Sequence, residues 1–227
     1  MDKDSIFPLQ GALGYEITQT LFVGKHTLLV EGPSDILYIK AVSGELLRRG
    51  RIGLDPEWVI CPTGGLDKIQ AFVSLFAGNE LDVVALTDYA KKGRTKLEAI
   101  RQSEILKTGG LFTIADFVSK EEADVEDMFE PECFVDIINN AYGLPNNHAL
   151  TMDILDAADQ NTVRLVKKAE AYFNLLPNEF PTFDHFYPSS WLIQNPQILQ
   201  EETPAILATL ERFEKLCKAI NDLKAER

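Results

Sequence analysis

The residues best suited to chemistry are carboxylates placed where apolar runs give way to turns. Glu31 follows His26-Thr27-Leu28-Leu29-Val30 and precedes Gly32-Pro33-Ser34-Asp35, so one acid closes a strand and another opens the next helix. With Pro33 near the first helical position, Asp35 points toward the strand end and can share a divalent ion with Glu31. The same residues also suit an ordinary helix start, with Ser34 or Asp35 as cap and Glu31 in water. Asp88 closes a second apolar run, Val83-Val84-Ala85-Leu86-Thr87, and leads into Tyr89-Ala90-Lys91-Lys92-Gly93-Arg94. An aspartate there can hold a metal while the cations hold phosphate oxygens; equally, it can cap a strand ahead of a solvated helix face. A third group, Asp124, Glu126 and Asp127, lies in the acidic stretch 121–132. If residues 123–129 are extended, Asp124 and Glu126 share one side and Asp127 opens the next turn. Most of that stretch also suits a solvated surface.

Carboxylates without an accompanying thiolate or imidazole cluster are a hard-oxygen donor set, the kind that suits Mg2+ or Mn2+. The three cysteines, Cys61, Cys133 and Cys217, are scattered without CxxC spacing, which argues for reduced thiols and against a zinc cluster. No GxxxxGK[ST] pattern occurs, so there is no nucleotide-hydrolysing P-loop. Gly64-Gly65 is a weak phosphate-cradle pattern, because glycine pairs are more often simply turns. Arg164, Lys167 and Lys168 fall on one face of a helix expected over 161–176, and Lys168 is the first choice for a cation beside a scissile phosphate. His26 and His148 suit structural or exposed positions, and His185, in the turn 183–188, suits packing.

These residues need a scaffold, and the apolar pattern supplies one. An N-terminal helix is expected over 10–23, then strand 26–31, helix 36–47, strand 58–61, helix 66–77, strand 83–87, a basic helix 91–107 and strand 111–114. Strands alternating with helices imply a mainly parallel α/β sheet covered on both faces, with ligands at the carboxyl ends of its strands. Beyond that the patterning turns helical, at 131–141, 161–176 and 203–226, interrupted by prolines. The expected organisation is a catalytic domain over 1–142 and a helical subdomain over 143–227.

With 227 residues and 45% hydrophobic residues the chain can bury a sizeable core. Its apolar runs are strand-sized and too short to cross a membrane. Neither a signal peptide nor a disulfide framework is evident, and a cytoplasmic location is expected. The net charge of −13 repels polyanions as a whole, so any nucleic-acid contact must rely on metal ions and a local basic strip.

Glu31-Gly-Pro-Ser-Asp35, the Gly64-Gly65 turn, Asp88 and Val125-Glu126-Asp127-Met128-Phe129 stand in the order of a topoisomerase-primase (Toprim) domain. More closely, the chain resembles the C-terminal region of overcoming-lysogenization-defect (OLD) family nucleases, class 2-like. Leu13-Gly14, Leu29-Val30-Glu31-Gly32, Pro62-Thr63-Gly64-Gly65-Leu66-Asp67-Lys68-Ile69 and Phe183-Asp184-His185-Phe186-Tyr187-Pro188 carry that resemblance across nearly the whole chain. It implies a Toprim-like sheet and a DNA endonuclease using two Mg2+ or Mn2+ ions. Complete members carry an ATPase domain ahead of this region, so the chain is expected to be an excised part or a truncated relative, with DNA, that ATPase and a second copy of itself as candidate partners. Carried over, Glu31 and Asp35 match the first acidic motif, Asp88 the central one, and Glu126 with Asp127 the last. Many Toprim domains have Asp-x-Asp at the centre, whereas Ala90 stands here, so Asp124 or Glu126 would supply the missing ligand or one metal site would be weakened. Two rival readings follow: a Toprim module with a decayed centre that docks a partner, and, ranked below it, a phosphorylation-dependent receiver domain.

Overall fold

The computed structural model describes residues 26–76, 82–102 and 110–225. The helix expected over 10–23 lies outside them. The framework is a four-stranded parallel sheet in the order β2-β1-β3-β4, with β1 His26–Val30, β2 Trp58–Pro62, β3 Asp82–Thr87 and β4 Leu111–Thr113. The register pairs Leu29 with Cys61 on one side and with Ala85 on the other, and Thr87 with Thr113. All five β1 side chains are buried, as expected of a central strand with both faces covered.

Alternation along the strands splits the apolar residues between two faces. Leu28, Val30, Val84 and Leu86 point into the larger core, while Leu29, Cys61, Val83 and Ala85 join Ile69, Leu97, Ile100 and Leu111 in a smaller one. The smaller core is roofed by α2 Leu66–Phe76 and α3 Arg94–Arg101. The larger is roofed by α1 Pro33–Arg48, whose Ile36, Ile39, Val42 and Leu46 are buried at helical spacing. Each such residue removed from water contributes about 1.5–3 kcal/mol.

The remaining helices are α4 Pro131–Tyr142, α5 Met152–Ala158, α6 Leu165–Phe173, α7 Phe186–Gln194 and α8 Pro204–Ala225. Both α7 and α8 pack on α1 and on α4. The boundary expected near residue 142 coincides with the end of α4, where Gly143 takes the left-handed conformation at φ 59°. One apolar core crosses it, joining Leu28 and Tyr38 to Phe129, Phe134, Leu210 and Phe213. Phe129 lies edge-on to Tyr38 and to Phe213, with ring centroids 5.0 and 5.2 Å apart.

Three expectations about elements are corrected. The basic helix expected from residue 91 starts as a 3-10 turn, Lys91–Gly93, and becomes α-helical only at Arg94. The helix expected over 161–176 is shorter, Leu165–Phe173, and α7 occupies residues assigned to a turn. Pro188 is compatible with α7 because it lies in the first turn, where an N–H has no partner inside the helix. Among the described residues no helix is long and apolar enough to cross a membrane.

Candidate metal centre

Glu31 and Asp88 leave the carboxyl ends of the neighbouring strands β1 and β3. The Glu31 side chain turns back across the edge: Oε1 accepts the Asp88 N–H at 3.1 Å and Oε2 the Leu66 N–H at 3.2 Å. Its backbone carbonyl accepts the N–H groups of Gly64 and Gly65 at 2.9 and 3.0 Å. The two glycines sit at φ 80° and 114°, conformations that side-chain-bearing residues rarely adopt. Their N–H groups are therefore committed to the residue that follows β1, in keeping with the plain turn that glycine pairs more often form.

Asp35 is buried in the first turn of α1, where its Oδ2 reaches back to accept the N-cap Gly32 N–H at 2.7 Å. Asp124 and Glu126 reach the same place by another route. Tyr89 and Ala123 form an isolated antiparallel bridge, N–H to carbonyl in both directions at 2.8 and 2.9 Å, which lays the chain before Asp124 against the chain after Asp88. A 3-10 turn, Val125–Met128, then tucks Glu126 inside.

Burial and mutual charge act on these acids together. Burial pushes Asp35 up to about 7, helped by the charges of Glu31 and Asp124. Asp88 is held well above the ordinary carboxylate range, first by burial and then by the charges of Asp35, Asp124, Glu31 and Glu126. Glu126 is raised likewise by burial and by Asp124, Asp35 and Asp127. Glu31 is raised by burial despite its two backbone hydrogen bonds, with Asp124 pushing it further and Arg164 opposing. Each acid feels several others, so they share one buried neighbourhood at this edge of the sheet.

A cation enters that locus. Arg164 forms a fork with Asp124, Nε to Oδ2 at 2.6 Å and Nη2 to Oδ1, and its charge also reaches Asp88 and Glu31. Burial keeps the Asp124 carboxyl raised even so.

Other expected residues are placed differently. Asp127 caps rather than opens: Oδ2 accepts the Asp124 N–H at 2.8 Å, and Oδ1 accepts the Leu165 N–H at 3.1 Å and pairs with Lys120. Lys168 pairs with Asp156 at 2.7 Å and Lys167 with Glu170 at 2.7 Å. Arg164 precedes α6 in an extended conformation, φ −82° and ψ 122°, so the common helix face expected for Arg164, Lys167 and Lys168 does not form. His185 is exposed and stands edge-on to Phe183, and His148 lies against Phe180.

Two residues not singled out in the sequence belong here. The hydroxyls of Tyr38 and Thr87 are buried with no hydrogen-bond partner among the described residues. Tyr38 lies three residues after Asp35 on α1, a spacing that puts both on one helix face, and its phenol feels the charges of Glu126 and Asp35. That spacing was the available signal. Thr87 immediately precedes Asp88.

Buried, mutually repelling carboxylates with the Tyr38 hydroxyl near them fit a divalent cation in donor chemistry, since hard oxygens are what Mg2+ and Mn2+ take. Among the described residues, however, no three acid, imidazole or thiol side chains stand close enough together to form a ready-made cage.

The chain is similar in structure to the C-terminal region of the Burkholderia pseudomallei OLD protein, with a TM-score of 0.49 and 14% identity over 86% of this chain and 100% of that one. It is likewise similar to the C-terminal region of the Xanthomonas campestris pv. campestris OLD protein, with a TM-score of 0.47 and 19% identity over 89% of this chain and 98% of that one. No family model and no curated protein matches it.

Proposed function

We propose that the chain is the catalytic region of a divalent-cation-dependent endonuclease that hydrolyses DNA phosphodiesters with little sequence specificity. Supporting this reading, Glu31 and Asp35 from one segment, and Asp88 and Glu126 from two others, are drawn to the carboxyl edge of a parallel sheet, where burial and one another's charges raise them. The Toprim-like order of the motifs bearing these acids supports it.

Glu31, Asp35, Asp88 and Glu126 would hold Mg2+ or Mn2+. When bound, such an ion lowers the pKa of a water and neutralises charge on the attacked phosphate. The protein contributes orientation. Glu31 is fixed by two backbone N–H groups, and Asp35 by the helix cap, so both are set before substrate arrives. Substrate is held through its backbone by a local cationic rim, because the net charge of −13 opposes long-range attraction. Lys68 and Lys92 suit that rim: both are exposed and neither has an ion-pair partner among the described residues. Lys68 Nζ lies over the Gly64 turn, and Gly93, next to Lys92, backs onto Leu66.

The test is nicking of supercoiled plasmid with Mg2+ or Mn2+. Cleavage should stop with chelator and fall at least 100-fold in Asp88→Asn, since a charged ligand at the reacting centre commonly accounts for several kcal/mol. Undiminished cleavage by Asp88→Asn and Glu31→Gln would remove the proposal.

A second reading has its own support. Arg164 already occupies Asp124, and Ala90 leaves the central motif one acid short, as in a module that has lost catalysis and acts by docking an ATPase or a second copy of itself. Absence of saturable Mn2+ binding would favour that module.

A further inference from the structure

We infer that Arg164 stands in for a second cation, so that the acid cluster takes a single divalent ion and Asp124 is withheld from it. This rests on the metal-dependent reading above and narrows it, because the sequence resemblance implies two ions.

Two ions about 4 Å apart need a shared carboxylate and separate ligands on each outer side. The structure has used up one of those sides. Asp124 presents both carboxylate oxygens to the Arg164 fork. A guanidinium cannot give up its charge, so the pair does not dissolve by deprotonation. Asp127, the other acid of the same turn, is committed to Lys120 and to two backbone N–H groups. Position 90 offers only a methyl group.

The arrangement is built into the chain on both sides. Asp124 and Asp127 stand at the cap and third positions of one 3-10 turn. Arg164 and Leu165 stand at the start of α6, each bonded to one of those two acids. The turn and helix are thus joined at two points, and the guanidinium is aimed by that joint. The side of the cluster left open is marked independently: the Tyr38 hydroxyl, buried with no hydrogen-bond partner among the described residues, lies one turn from Asp35 on α1 and feels the charges of Asp35 and Glu126.

The experiment is calorimetric titration of the chelator-treated full chain with Mn2+, checked by loss of the free-ion electron paramagnetic resonance signal. The wild type should take up a single equivalent. Arg164→Gln keeps a hydrogen-bond donor for Asp124 but removes the charge, and should gain a second equivalent or bind the first about tenfold more tightly, the order expected when a competing unit charge is removed in partly screened surroundings. Arg164→Lys should keep the wild-type stoichiometry, and adding Asp124→Asn to Arg164→Gln should cancel the gain. Circular dichroism melts report whether each variant folds, and Arg164→Lys keeps the comparison available should Arg164→Gln not fold. Two equivalents in the wild type, or an unchanged Arg164→Gln titration, overturns the inference while leaving the metal reading intact. No Mn2+ uptake by any of these proteins overturns both.

Discussion

The carboxylate of Glu31 holds the main chain of Asp88, its Oε1 accepting the Asp88 N–H at 3.1 Å, while its other oxygen holds the start of α2 at Leu66. One acid therefore ties β1, β3 and α2 together at the edge where the remaining acids gather. The position is structural as well as chemical, and the two roles separate by substitution. Glu31→Ala should lower stability by about 1–3 kcal/mol, because two backbone donors lose their acceptor. Glu31→Gln should recover only part of that loss, since its one carbonyl oxygen still accepts one of the two N–H groups while its NH2 faces the other, yet it should bind Mn2+ as poorly as the alanine variant. Urea unfolding and metal titration of the pair check this. Equal stability of the two variants would mean that the hydrogen bonds do not anchor the edge.

The acid cluster makes a stability prediction with a definite sign. Asp35 is raised from 3.8 to about 7, and Asp88 and Glu126 are raised well above their ordinary range by burial and by one another. A group with a raised folded-state pKa keeps its proton in the folded protein at a pH where the unfolded chain has released it. Folded stability is thus fullest below about pH 4 as far as these groups are concerned, and is lost as pH rises through about 7, at about 1.4 kcal/mol per unit of raised pKa. Metal-free protein should have a lower urea midpoint at pH 8 than at pH 5.5. Asp35→Asn with Asp88→Asn should flatten that dependence. A midpoint that climbs between pH 5.5 and 8 in the wild type would contradict the convergence of these acids.

Legibility in the sequence followed the range of the interaction. The β1 run could be read from five residues because a parallel strand buried on both faces is apolar throughout. Pro33 and Asp35 marked the start of α1 because cap and first turn are neighbours in sequence. The same local rule, an acid followed by another three residues later, was present at Asp124 and Asp127 and would have identified a capped turn in place of an extended segment. The Arg164–Asp124 pair spans 40 residues, and the Tyr89–Ala123 bridge that positions Asp124 depends on β3 being in place. No local pattern encodes either. Lys168, inside α6, pairs with Asp156, and Arg164 stands apart from its helix face because it precedes the first helical residue.

Tyr38 and Thr87 offer a test of what the unpartnered hydroxyls do. A buried hydroxyl with no partner costs stability, so Tyr38→Phe and Thr87→Val should leave the unfolding free energy unchanged or raise it by about 1 kcal/mol. Tyr38→Phe should also lose several-fold in Mn2+ affinity, whereas Thr87→Val, which alternation places on the smaller-core face of β3, should not. Reduced stability with unchanged metal affinity in Tyr38→Phe would assign that hydroxyl to packing instead.

The cationic rim makes the last prediction, which concerns substrate. Lys68 and Lys92 are exposed, lie on adjoining turns and carry no ion pair among the described residues, whereas Lys91, Arg94 and Lys96 are paired with Glu121, Glu98 and Asp67. Charges already paired release fewer counterions from a phosphate backbone than free ones do. Lys68→Ala and Lys92→Ala should therefore each weaken duplex binding uniformly across sequences and reduce the salt slope, d log K/d log[salt], by about one. Lys91→Ala should do so less, because it also frees Glu121. Fluorescence anisotropy with a labelled duplex in chelator, over a series of salt concentrations, measures this without cleavage. Identical slopes for the wild type and the Lys68→Ala Lys92→Ala double variant would place the DNA path on another face of the molecule.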